Sequence, residues 1–143
     1  MEPGESHVEQ AVVRALEGSA ISGIASAYLF GSVVEGREHR ESDVDIAVLL
    51  DPRSAGDARE RFDKRLRLIE DLTVALSPRT ADVVLLNDAP PLFARRIVTA
   101  GRRVYCPQRD TDAAFLRDTQ LRAADLEPFL RRTRRVKLEA LAR

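Results

Sequence analysis

The 143-residue sequence predicts a mixed α/β (α+β) fold: a small mixed β-sheet flanked by helices, with a helical C-terminal tail. Short apolar runs at Ile24–Phe30, Val44–Leu50 and 80–86 are bounded by glycine, proline or acidic residues, as buried strands are. Longer stretches around them carry apolar residues at helical spacing. The length suffices for one well-formed core and not for two, so residues 1–143 are expected to form a single domain.

Each element follows from local signals. Val8, Val12, Ala15 and Leu16 define an amphipathic helix over 6–17, with Gly18 and Gly23 bracketing its end. Ile24–Phe30 and Val44–Leu50 read as buried strands, and Asp51-Pro52 stops the second because proline lacks a ladder amide. A long helix is predicted over 55–76, with Phe62, Leu66, Ile69, Thr73 and Leu76 on its inner stripe and Ser77-Pro78 ending it. A third strand over 80–86 is followed by the break from Asn87 to Pro91. A short helix to about Thr99 comes next, anchored by Leu92, Phe93, Ile97 and Val98 and closed by Gly101. Residues 103–106 suit a short edge strand. From Thr111, taken as a cap, the chain is predicted helical, with Leu116, Ala123, Leu126 and Leu130 on one stripe. Glu127-Pro128 is predicted to kink or restart it.

Composition narrows the function classes. Apolar residues make up 44% and charged residues 32%, the balance of a soluble globular protein. No apolar stretch approaches the span of a bilayer, and the acidic N-terminus is unlike a secretory signal. Cys106 is the single cysteine, which excludes an intrachain disulfide framework and fits a reducing compartment. A cytoplasmic location is expected. The net charge of zero conceals a balance of −5 over residues 1–80 and +5 over 81–143, with Arg131, Arg132, Arg134, Arg135 and Lys137 clustered near the end. Such a cluster serves an acidic partner, RNA or water alike. No Trp and only two Tyr leave few stacking platforms, which argues against direct nucleic-acid binding.

The chemistry concentrates in two places. Asp43 and Asp45 are two apart at the start of a strand, so their side chains leave one face with Cα atoms roughly 6.6 Å apart. Two carboxylates on an otherwise apolar strand are costly unless exposed or compensated, and magnesium would compensate them. An acidic strand entrance facing water has the same appearance. Gly31-Ser32 follows the preceding strand; glycine permits a sharp turn and close backbone approach, and Ser32 adds a hydroxyl donor suited to phosphate. Gly36 gives the following loop further freedom. The turn is no P-loop, because the lysine and the full glycine spacing are missing. Asp82 opens the third strand on the parity of Val84 and Leu86. It is either a surface carboxylate or, if that strand neighbours the Asp43 strand, a third member of the same site. The set jointly favours metal-assisted phosphoryl chemistry.

Gly31-Ser32, the ten-residue spacer and Ser42-Asp43-Val44-Asp45 resemble the signature of the minimal nucleotidyltransferases of the DNA polymerase β superfamily, with Asp82 matching the third family aspartate. The segment from Asp82 through Asn87, Pro91, Ile97 and Gly101 to Tyr105 resembles the MNT-domain antitoxins paired with HEPN-domain toxins. That resemblance implies a nucleotidyltransferase fold and an Mg2+-dependent protein adenylyltransferase. It would move AMP from ATP to a tyrosine hydroxyl of a cognate HEPN RNase toxin, in a hetero-oligomer. By position, Asp43 and Asp45 would bind metal, Asp82 would complete the metal that prepares the attacking hydroxyl, and Gly31 and Ser32 would hold the triphosphate. Many relatives carry arginine directly after the Gly-Ser pair; this chain has Val33, so a phosphate contact would have to come from elsewhere, with Arg37 and Arg40 as candidates. Two other classes stay open: a noncatalytic antitoxin acting by binding, and a nucleotidyltransferase acting on nucleic acid or a small molecule. The basic C-terminal segment, about 111–143, with Leu126, Leu130 and Val136, is the candidate toxin-contact surface. His7 and His39 are too separated for a zinc site. Cys106 has no adjacent base and is assigned to packing, and Tyr105 to an edge-strand position.

Overall fold

The computed structural model describes residues 3–35 and 43–142; Gly36, Arg37, His39, Arg40 and Ser42 lie outside the described residues. In chain order the elements are α1 (Pro3–Glu17), β1 (Ile24–Phe30), α2 (Ser32–Glu35), β2 (Val44–Leu50), α3 (Ala58–Leu76), β3 (Ala81–Leu85), a 3-10 turn (Leu86–Asp88), α4 (Pro91–Ala100), β4 (Arg102–Tyr105) and α5 (Arg109–Ala142). The four strands form one sheet in the order β3-β2-β1-β4. β1 pairs antiparallel with both β2 and β4, whereas β2 and β3 run parallel through the α3 crossover. The sheet is mixed, as expected.

β1 and β2 read as almost unbroken apolar runs because both sheet faces are covered. On one face Val44, Ile46 and Val48 pack with Val12 and Leu16 of α1 and with α3. On the other, Ala25, Tyr28, Ala47 and Leu49 pack with Ala94 and Ile97 of α4 and with Phe115 of α5. The second face is the one that carries the carboxylates.

Several boundaries differ from expectation for identifiable reasons. α3 starts at Ala58 rather than at residue 55, because Asp57 caps it: the Asp57 carboxylate accepts from the Glu60 amide at 2.8 Å, with Glu60 closing the capping box. Leu76 is buried and Ile69 packs against the core as expected, whereas Phe62 and Leu66 are exposed and Leu68 and Leu72 are buried in their place. β3 ends at Leu85, and Leu86 belongs to the 3-10 turn. The Asn87 side chain there exchanges two hydrogen bonds with the Leu50 backbone, at 2.9 and 2.8 Å, and closes the end of β2. Phe93, expected as a core anchor of α4, is partly exposed and packs edge-on against Phe30, with ring centroids 6.2 Å apart.

Gly101 ends α4 as expected, its amide donating to the Ile97 carbonyl at 2.7 Å. Its backbone is extended, and the demand is for space: a Cβ would meet the Ile97 carbonyl and lie 2.7 Å from that of Leu29. Glycine lets the end of α4 abut β1.

α5 starts at Arg109 and continues past Pro128 without a break to Ala142, in place of the expected kink or restart. Proline there removes one amide bond at an exposed position, and Ala124, four residues earlier, is exposed as well. The helix is fastened near its start. Asp112 is fully buried and accepts from the Ser26 hydroxyl at 2.6 Å and the Tyr28 hydroxyl at 2.7 Å, with Arg103 at 3.0 Å. Past Ala123 no described residue of α5 is buried. Among the described residues no helix is long and apolar enough to cross a membrane.

Candidate functional site

The antiparallel β1–β2 pair brings the end of β1 to the start of β2, with Phe30 opposite Asp45. Parallel pairing of β2 with β3 then sets Asp45 beside Asp82. Strand parity puts Asp43, Asp45 and Asp82 on the face that carries Ala47 and Val84, so the third strand neighbours the second as the site requires. Gly31 turns the chain immediately after Phe30 at φ +74°, a left-handed conformation that L side chains rarely adopt. A Cβ on Gly31 would fall on the Asp45 carboxylate. Asp45 thus lies against the bare Cα of the turn, which explains why glycine must precede Ser32. Gly31→Ala is expected to cost about 1–3 kcal/mol in backbone strain and to displace Asp45. Urea denaturation combined with nucleotide-binding calorimetry would check both effects.

The three carboxylates differ in surroundings. Asp45 is half-buried, and its carboxyl is held above the ordinary carboxylate range by burial first, then by the neighbouring charges of Asp82 and Asp43. Asp43 accepts a hydrogen bond from the Thr80 hydroxyl. Asp82 stands 3.8 Å from the Arg65 guanidinium, whose Nε donates to the Val83 carbonyl at 2.6 Å. The expected convergence of all three is met by the strands and not by the carboxylate oxygens. Among the described residues no three His, Cys, Asp or Glu side chains are grouped closely enough to hold one metal ion. Asp43 and Asp82 are instead turned toward Thr80 and Arg65.

A cavity of about 340 Å³ opens beside the turn, bounded by Phe30, Gly31, Ser32, Phe93, Arg96 and Gly101. A larger cleft of about 880 Å³ lies at the other end of β2, between the Asp51–Gly56 loop and α5, remote from the carboxylates. Its size does not make it the chemical site: Arg53, Arg61 and Arg122 on its walls are already paired with Asp51, Asp88 and Asp118.

Sequence reasoning passed over Thr80, Arg65, Arg96 and Asp112. The position of Thr80 beside the strand carrying Asp82 could have suggested the first, whereas long-range folding alone brings the others into place. Tyr28, within the signature, serves the fold: burial and the bond to Asp112 push its phenol well above the ordinary range. Cys106 is half-buried and burial pushes its thiol up, in keeping with packing. His7 is exposed on α1.

A family model described as polymerase beta, nucleotidyltransferase matches residues 17–110. Protein adenylyltransferase MntA of Shewanella oneidensis is 36% identical over 85 residues, 59% of this chain and 56% of that protein. The match therefore spans about half the length of that curated relative. Among solved structures, a chain of a toxin–antitoxin crystal structure with AMP-PNP superposes with a TM-score of 0.67 at 27% identity, covering 94% of this chain and 98% of that one. A chain of a mutant MntA–HpeT toxin–antitoxin crystal structure gives 0.66 at 27% identity, with the same coverage. The matched stretch contains Gly31, Ser32, Asp43, Asp45 and Asp82, and the chain belongs to the polymerase β nucleotidyltransferase family.

Proposed function

We propose that this protein is an antitoxin that acts as an Mg2+-dependent protein adenylyltransferase, moving AMP from ATP to a tyrosine hydroxyl of a cognate HEPN-domain RNase toxin. The observation that carries the reading is the line Gly31, Asp45, Asp82 across three adjacent chain segments on one sheet face. The likeness to a protein adenylyltransferase and to chains of toxin–antitoxin complexes, one with AMP-PNP, supports it.

The residues fit a hard dication. Asp45 is partly withdrawn from water and faces two like charges, a repulsion that a cation relieves. Asp43 and Asp45 would hold magnesium, with Asp82 joining them after Asp43 and Asp82 swing from Thr80 and Arg65. When bound, the metal supplies charge neutralisation at the phosphates and a lowered pKa for the attacking hydroxyl. Gly31 offers bare backbone and Ser32 a hydroxyl to the triphosphate. Asp82 sits on the edge strand, where an incoming tyrosine has access. The tyrosine oxygen bonds to the α-phosphorus as the bond to the β-phosphate bridging oxygen breaks. The electron pair leaves with pyrophosphate, and the phenolic proton is released.

The exposed distal half of α5 is the proposed toxin-contact surface. It combines Leu126, Leu130 and Val136 with the Arg131–Lys137 cations. Incubation with labelled ATP, magnesium and the partner is expected to label the partner covalently with the wild type and not with D43A/D45A. Absence of label from both proteins would refute transfer. If D43A/D45A also neutralised the partner fully, the antitoxin would act by binding alone.

A further inference from the structure

The candidate site holds three carboxylates on one face and must receive a highly anionic triphosphate. Position 33, where many relatives have arginine, cannot help: Val33 is 1% exposed and packed in the core. Among the described residues, the neighbouring cations of α3, α4 and β4 other than Arg96 are committed. Arg95 pairs with Glu127 at 2.6 Å, Arg102 with Glu9 at 2.7 Å and Arg103 with Asp112 at 3.0 Å. Arg65 donates to the Val83 carbonyl. Arg96 is exposed, takes part in no ion pair among the described residues, and lines the cavity beside Gly31 and Ser32.

We propose that Arg96 binds the β- and γ-phosphates of the nucleotide, supplying from α4 the cation that position 33 lacks. The assignment rests on the adenylyltransferase reading and adds the direction in which the leaving group departs. In-line displacement places nucleophile and leaving group on opposite sides of the α-phosphorus. Across the sheet the order runs from Asp82 on edge strand β3, through Asp45 on β2, to Gly31 after β1 and Gly101 before β4. A hydroxyl entering at Asp82 therefore sends pyrophosphate toward Gly31 and the cavity where Arg96 stands. The cavity volume of about 340 Å³ falls in the range of small-ligand sites, roughly 300–1,000 Å³. Phe93, one turn before Arg96, is braced edge-on against Phe30 and fixes that face of α4 over the turn. A guanidinium offers two parallel donors to a phosphate, a match that lysine makes only as a point charge.

Calorimetric titration with an α,β-methylene ATP analogue and with AMP, in the presence of magnesium, tests the assignment on wild type, R96A and R96K. R96A is expected to weaken the ATP analogue about 10-fold or more, the loss of a charge-assisted bond, and to leave AMP unchanged, with R96K in between. Equal losses for the analogue and AMP, or no loss for the analogue, would overturn the role of Arg96 while the adenylyltransferase reading stood. A wild type that binds no ATP analogue would overturn both. Binding that follows the expected pattern in a wild type that labels no partner would uphold Arg96 and remove only the protein substrate.

Discussion

Asp45→Asn is expected to abolish adenylyl transfer, by roughly 10³-fold as for removal of a preorganised charged group at a reacting phosphate, and to raise the thermal midpoint of the metal-free protein. Both effects have one source. Burial and the charges of Asp82 and Asp43 hold the Asp45 carboxyl above its ordinary value. The fold thus binds a proton that the unfolded chain releases, and stability falls as pH rises from the ordinary carboxylate range through the raised value. Above the raised value the penalty is fully present, and asparagine removes it. Magnesium should raise the midpoint of the wild type by binding linkage and leave that of the variant unchanged. Thermal melts with and without magnesium, beside the labelling assay, measure all of this. A lowered midpoint for the metal-free variant would mean that Asp45 supports the fold.

Asp112→Ala should be the most damaging single change to stability, at about 3–5 kcal/mol. The carboxylate is fully buried, and its loss strands the hydroxyls of Ser26 and Tyr28, which are 0% and 3% exposed. Arg103, with a side chain 46% exposed, can turn to water and contributes less. Asp112→Asn keeps an acceptor for both hydroxyls and should cost markedly less. Urea denaturation of the pair separates hydrogen bonding from charge. A cost for Asp112→Ala below about 1 kcal/mol would show that apolar packing alone fastens α5 to the sheet.

The central strands and the first half of the site were legible because their signals are local. Ile24–Phe30 and Val44–Leu50 form as expected, and Gly31 meets Asp45 because a hairpin must bring its own ends together. Asp82 was legible only through parity, since a parallel crossover leaves its partner undetermined until the sheet order is known. The first half of the inner stripe of α3 was misread because Phe62 and Leu66 look like anchors by type, whereas burial goes to Leu68 and Leu72; Ile69 and Leu76 pack as expected. Pro128 looked like a breaker because proline removes an amide bond wherever it sits in a helix, yet α5 runs through it at an exposed position. Asp112, 84 residues from Tyr28, carried no local sign of its role.

The pairing of β2 with β3 guards the chemistry against its own folding errors. A slip of one residue along β3 would bring Val83 to the site and turn Asp82 inward. Val83 is fully buried among core residues, whereas the Asp82 side chain is 56% exposed. The slipped chain would lose an apolar contact and strand a charge before any substrate arrived. The misassembled register is therefore disfavoured on thermodynamic grounds alone: the hydrophobic core proofreads the candidate site.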